Sequence, residues 1–353
     1  MKSRPLSRLI ARTNAELTLA ELAPGLNGVS LAGKPPLSTQ GDERMTTDQI
    51  ADLRKLRYNS TVVHLDKIHP DLVVLRVKPD FPRPNYLAGQ YCALGLGNWE
   101  ARVEGCQAEN LAPEDLTKIV RRSYSISSSV YQSPGQLRDM SQDDWVEFYV
   151  VLVRENHDGR VPALTPRLFS LRVGDRINMG EKIVGHFTSQ PVKPGDDVVL
   201  LSTGTGEAPH NAIVWDLLRK GHTGRIVSAC CVRHRKDLGY WGTHQQLMDQ
   251  FPNYKYLGLT TREPGLTKKV YIQDVITSGE LEENLRGKLD PSRCHVYLCG
   301  NPKMIGVPVK DKETGLRNYP QPTGVIEILE GKGFQADNAA AKIKGTIHFE
   351  EYW

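Results

Sequence analysis

Residues 198–221 read VVLLSTGTGEAPHNAIVWDLLRKG. An apolar strand passes through a glycine turn straight into a segment whose apolar residues recur at helical spacing, the junction on which nucleotide-binding α/β folds are built. Gly204 and Gly206 flank Thr205, and Pro209 falls in the first helical turn, where its missing N–H leaves no bond unmade. Amides at such a helix start, backed by the helix dipole, attract phosphate. Pro209 stands where a third glycine would complete the usual fingerprint, so the turn alone fits simple packing as well as phosphate binding.

Downstream, the segments VVLLST, GRIVSACCV, YKYLGLTT and HVYLCG read as strands, alternating with the helical segments HNAIVWDLLRKG, HQQLMDQF and IQDVITSGELEENL. That alternation predicts a doubly wound parallel sheet. Cys230 and Cys231 are adjacent in one strand and are expected on opposite faces as small buried hydrophobes. Upstream, from Tyr58 to Phe187, short runs rich in β-branched and aromatic residues are broken by Gly, Pro and Asn: STVVHLDKI, LVVLRVK, GQYCALGLG, RRSYSISSS, WVEFYVVLVRE and DRINMGEKIVGHF. Their spacing predicts an antiparallel β-barrel. The expected organisation is an extension over 1–45, a barrel domain over 46–190 and an α/β domain over 191–353.

The chain has 353 residues, 39% of them hydrophobic and 24% charged, with a net charge of +4 that implies no nucleic-acid partner. No apolar run approaches the roughly 18 residues that span a bilayer, and the N-terminus lacks the apolar stretch of a secretory signal. A cytoplasmic protein is expected. The six cysteines form no CxxC pair or ferredoxin-type run, so neither a metal nor an iron–sulfur centre is expected. Residues 1–44 carry Arg4, Arg8 and Arg12 ahead of the first acid, Glu16, and fit a disordered tail, a targeting segment or a misplaced start before Met45.

One barrel strand ends in Arg122-Ser123-Tyr124-Ser125. The Arg offers a bidentate fork for pyrophosphate, the Tyr a flat face for a ring, and the last Ser a hydroxyl for a ring nitrogen. The same composition is common on surfaces. RRSYSISSS is followed in order by EFYVVLV, LTPRLFSLRVGD, STGTGEAP, VYLCGNPKMIG and a terminal FEEYW, and in this the chain resembles the ferredoxin-NADP reductases, most closely the bacterial flavoenzymes ending in Tyr-Trp, over residues 58–353.

The resemblance implies a Greek-key FAD-binding barrel followed by an NADP-binding domain. Arg122 would meet the FAD phosphate, Ser123 would lie among the FAD-binding residues, Tyr124 would lie against the isoalloxazine and Ser125 near its N5. Tyr149 and Val151 would lie on a flavin-contacting strand, and Ala163, Leu164 and Thr165 would form the turn that opens a helix beneath the FAD pyrophosphate. Thr165 also suits a helix N-cap, with Pro166 at the first helical position. Thr205 would serve the flavin side, and Tyr352 and Trp353 would cover the flavin.

For NADP, the resemblance implies the pyrophosphate at Gly204, Thr205 and Gly206, and the 2′-phosphate near Val232, Arg233, Thr261, Arg262 and Lys269. A fold built for NAD would place an acid after its second strand; Arg233, Arg235 and Lys236 surround that position here. Lys269 stands where relatives often carry Arg, exchanging a planar fork for a point charge. Gly300, Asn301, Pro302 and Met304 would follow the nicotinamide. Ser125, Cys299 and Glu350 would surround the site of hydride transfer between nicotinamide and flavin N5. The expected activity is electron transfer between NADP(H) and a one-electron carrier, an acidic ferredoxin or flavodoxin, by a monomer. An oxygenase-feeding reductase component and a flavin-binding regulatory subunit without turnover are the alternatives. Two polar stretches, 98–120 and 307–323, depart from the compact pattern and are expected to be surface loops near the docking face.

Overall fold

The computed structural model describes residues 45–156, 159–311, 313–338 and 342–352. The expectations for residues 1–44 and for Trp353 lie outside these. The first described element, α1 (Thr47–Arg57), is closed by a capping box in which Thr46 and Gln49 satisfy each other's backbone N–H.

Six antiparallel strands follow: β1 (Ser60–His69), β2 (Leu72–Pro79), β3 (Tyr91–Gly97), β4 (Ile119–Ser127), β5 (Val146–Val151) and β6 (Arg176–Met179). They close into a barrel in the order β1-β2-β5-β4-β3-β6. Alternation decides which face each strand buries. On β2, Val73, Leu75 and Val77 fill the barrel, whereas Leu72 and Val74 point outward into a small cluster with Tyr149, Ala208 and Tyr240. That outward face is where the barrel meets the second half of the chain.

The helix expected beneath the barrel is α2 (Thr165–Leu168), a single turn. Thr165 is not its N-cap. Leu164 holds that position with no side-chain cap, and Pro166 sits one place further in than expected. The Thr165 hydroxyl instead accepts the Val153 N–H at 3.1 Å, because the chain leaving β5 runs beside it and carries an unpaired donor.

The α/β half is a five-stranded parallel sheet of β7 (Asp197–Thr203), β8 (Ile226–Val232), β9 (Tyr254–Thr260), β10 (Cys294–Gly300) and β11 (Ile347–Glu351), ordered β9-β8-β7-β10-β11. The order reverses between β7 and β10, which opens a crevice at their carboxyl ends. Every residue of β8 is buried, as a strand covered on both faces requires. Cys231 packs with one core and Cys230 with the other, on the opposite faces expected.

The helices are α3 (Glu207–Arg219), α4 (Trp241–Gln250), α5 (Ile272–Thr277), α6 (Glu280–Leu285), α7 (Pro302–Ile305) and α8 (Val325–Glu330). The segment read as one helix over 272–285 is two, because Gly279 takes φ +88° and breaks it. β11 was expected only as a terminal motif, yet it is a full strand of the sheet.

Candidate active site

The crevice is closed by two loops locked together. At the end of β7, Gly204 adopts φ +53°, and Gly206 packs so closely on β10 that a Cβ there would lie 2.3 Å from the Cys299 carbonyl oxygen. Gly300 sits at φ +122°, where a Cβ would come within 2.4 Å of Thr203 Oγ1. That same oxygen accepts the Asn301 N–H at 2.8 Å. Only glycine fits these close approaches. Gly206→Ala should therefore lower stability by about 1–3 kcal/mol, seen as a fall of several degrees in Tm.

The C-terminal strand delivers the next groups. Cys299 pairs with Glu350 across the β10–β11 ladder, and the Tyr352 N–H donates to the Gly300 carbonyl at 2.9 Å. From the barrel, Ser125 at the end of β4 donates its hydroxyl to Glu350 Oε2 at 3.3 Å. Residues 225 positions apart thus meet. Burial pushes the Glu350 carboxyl up from 4.5 to about 7, against the opposing pull of the Ser125 hydroxyl. Burial also pushes the Cys299 thiol well above its ordinary value, which keeps it neutral. The Tyr352 hydroxyl is buried and has no well-formed hydrogen bond among the described residues.

Further along β4, Arg122 and Ser123 are exposed, while Tyr124 packs partly against the barrel core. Arg122 donates to the Arg121 carbonyl and makes no ion pair among the described residues, so its charge is open to an anion. Tyr149 is placed otherwise. It is buried, accepts the Gly239 N–H at 2.9 Å, donates to the Asp237 carbonyl at 3.1 Å and stands edge-on to Tyr240, so it faces the α/β half. Val151 is exposed at the strand end. Leu164 belongs to the barrel core, and the Ala163 carbonyl is taken by Arg167.

At the carboxyl ends of β8 and β9, the Arg262 N–H donates to the Arg233 carbonyl at 2.8 Å and the Thr261 N–H to that of Val232 at 3.0 Å. Arg233 and Arg262 are thereby neighbours, both exposed and, among the described residues, without an ion pair. Lys269 lies exposed on the following loop, with no hydrogen bond or ion pair to either. Beyond β10, Asn301 caps α7 through the Lys303 N–H at 2.8 Å, Pro302 occupies its first position, and Met304 points into the core.

Sequence reasoning missed the buried polar groups around this crevice. Glu147 accepts from Arg76 at 2.8 Å and Tyr240 at 3.1 Å, and Tyr240 accepts from Ser127, a chain that joins barrel and sheet. Glu207, the first residue of α3, accepts from Tyr256 at 2.5 Å and lies 3.1 Å from His244 Nε2. On the same helix His210 and Asn211 are buried with no hydrogen-bond partner for their side chains among the described residues. Burial drives His210 down to about 3, so it is neutral. For Glu147 the available signal was an acid inside an apolar run, WVEFYVV.

The site fits a flavin and a phosphorylated nucleotide. The barrel strand β4 offers Arg122, without an ion pair among the described residues, and the Ser125 hydroxyl that meets the Glu350 carboxyl. The turn at 204–206 has no room for a Cβ at Gly206, and Arg233 and Arg262, without ion pairs among the described residues, stand at the carboxyl ends of β8 and β9. The family model for an oxidoreductase NAD-binding domain matches residues 200–310. The flavodoxin/ferredoxin–NADP reductase of Escherichia coli K12 is 30% identical over 224 residues, covering 62% of this chain and 76% of that protein. The ferredoxin–NADP reductase of Azotobacter vinelandii is 26% identical over 219 residues, covering 59% and 77%. A ferredoxin NADP+ reductase of Neisseria gonorrhoeae, solved with bound FAD and NADP, superposes with a TM-score of 0.60 at 18% identity over 83% of this chain and 97% of that one.

Proposed function

Because the chain belongs to the ferredoxin-NADP reductase family, we propose that it carries electrons between NADP(H) and a ferredoxin or flavodoxin. It is an NADP(H)-dependent electron-transfer flavoenzyme with FAD as cofactor. When bound, FAD supplies the exchange between a two-electron hydride and single electrons. What the protein adds is position and charge. The exposed fork of Arg122 would hold a flavin phosphate, and Ser125 would offer its hydroxyl to the flavin. The Gly204–Gly206 turn receives the pyridine-nucleotide pyrophosphate, and Arg233 and Arg262, with Lys269 on the adjoining loop, take its 2′-phosphate.

The observation that carries this reading is the meeting of Ser125 with Glu350 across the crevice, next to Cys299 and the glycine turn. Glu350, poised near neutrality, holds or releases a proton beside Ser125 Oγ. Cys299 gives a small, neutral wall against which a nicotinamide can lie. One chain completes this constellation, which suits a monomer. The six cysteines are all free thiols, and among the described residues no helix is long and apolar enough to cross a membrane; both suit the reducing cytoplasm.

The partner is tested by turnover. With NADPH, purified ferredoxin or flavodoxin should be reduced at a rate that saturates with carrier concentration and falls with added salt, as association steered by charge requires. Rapid reduction of ferricyanide with neither carrier reduced would remove them as partners.

A further inference from the structure

The stretch at 98–120 is more than a surface loop. It carries a single 3-10 turn, at Pro113–Asp115, and its first half lies across α2. The Val103 N–H donates to the Pro166 carbonyl at 3.0 Å, Arg102 Nη2 to the Pro162 carbonyl at 2.9 Å, and the Ser170 hydroxyl to the Ala101 carbonyl at 2.8 Å. Gln107 grips the chain leaving β5, its N–H donating to the Arg154 carbonyl at 2.7 Å.

At the centre is a buried ion pair. The Arg167 side chain is 1% exposed, and its two terminal nitrogens donate to Glu109 Oε1 at 3.2 Å and Oε2 at 2.5 Å. The same nitrogens also reach the Ala163 carbonyl at 2.6 Å and the Asn98 carbonyl at 3.0 Å. Local sequence offers the turn little else. α2 has four residues, its N-cap Leu164 makes no side-chain bond, and the Thr165 hydroxyl is used by Val153. Arg167 is itself enclosed by these acceptors, so it fixes the turn and does not reach out to a ligand.

We infer that Glu109 is a positioning residue for the FAD pyrophosphate: it holds Arg167, which holds the Ala163 carbonyl and so orients the backbone of Ala163–Thr165. This rests on the reading of that turn as the flavin-phosphate turn. A buried guanidinium that loses its carboxylate is left uncompensated, so it must shift or draw in water, and the Ala163 peptide moves with it. An insertion that only shields the barrel would influence stability alone.

The test is FAD affinity, read by quenching of flavin fluorescence on rebinding to the deflavinated full chain. Glu109→Gln keeps the size and removes the charge; it should raise the FAD Kd roughly tenfold or more, the effect typical of groups that orient a ligand's direct contacts. Glu109→Asp should restore much of the affinity, and binding of 2′-phospho-AMP should not change. Gln107→Ala removes the side-chain oxygen that accepts the Asn156 N–H at 3.2 Å; it loosens the strap elsewhere and should lower Tm while leaving FAD affinity intact. Wild-type FAD affinity in Glu109→Gln would overturn the inference, as would an equal loss in Gln107→Ala. If Glu109→Gln does not fold, Glu109→Asp decides: an intermediate FAD Kd supports the inference and an unchanged one overturns it. A wild-type chain that takes up no FAD would overturn the flavin reading itself, and this inference with it.

Discussion

Glu350→Gln should slow reduction of the bound flavin by NADPH about a hundredfold, the low end of what a positioned acid–base group contributes. The substitution keeps the shape and the contact with Ser125 but removes the titration near pH 7. Single-turnover reduction followed by stopped flow separates this step from substrate binding, and an unchanged rate would remove Glu350 from the catalytic groups. A second readout comes from stability. The carboxyl of the folded chain titrates at about 7 against 4.5 ordinarily, so between those values the native state holds a proton that the unfolded chain has lost. Its contribution is full below pH 4.5 and is lost as the pH rises through 7. In the flavin-free protein Glu350→Gln should therefore raise stability at pH 8, by an order-of-magnitude 3 kcal/mol, and should flatten the decline of Tm between pH 5 and 8.

The double substitution Arg233→Ala, Arg262→Ala should raise the KM for NADPH about a hundredfold, since each hydrogen bond between charged groups contributes roughly 1.5–3 kcal/mol. Both side chains are exposed and free of ion pairs among the described residues, so their removal strands no buried partner and the fold should be unaffected. The KM for NADH should scarcely move, because NADH lacks the 2′-phosphate. At saturating NADPH kcat should stay near its original value, as for a loss of binding shared by ground state and transition state. Equal losses with both nucleotides would place the 2′-phosphate elsewhere.

What was legible in the sequence was local. The glycine turn at 204–206 stands out between an apolar strand and a helical segment, and the six barrel strands are readable as runs rich in β-branched and aromatic residues broken by Gly, Pro and Asn. The rest depended on pairings that the sequence does not display. Only the resemblance brought Ser125 and Glu350 together; the residues around Ser125 do not point to Glu350, since a crossing between two folded halves joins them. Thr165 looked like a cap because Thr-Pro usually is one, but an unpaired N–H from the neighbouring chain claimed its hydroxyl. The break between α5 and α6 turned on one glycine whose left-handed backbone no periodicity count weighs. Glu109 read as one more surface acid in a polar stretch, and only the fold shows that it neutralises a buried arginine.

The most direct test of the central claim is the visible absorption spectrum of the purified protein, recorded anaerobically while NADPH is added, with NADH added to a parallel sample. The account predicts a yellow protein whose flavin absorbance bleaches at much lower NADPH than NADH. A colourless protein that takes up no added FAD, or a flavin that NADPH does not reduce, would contradict it.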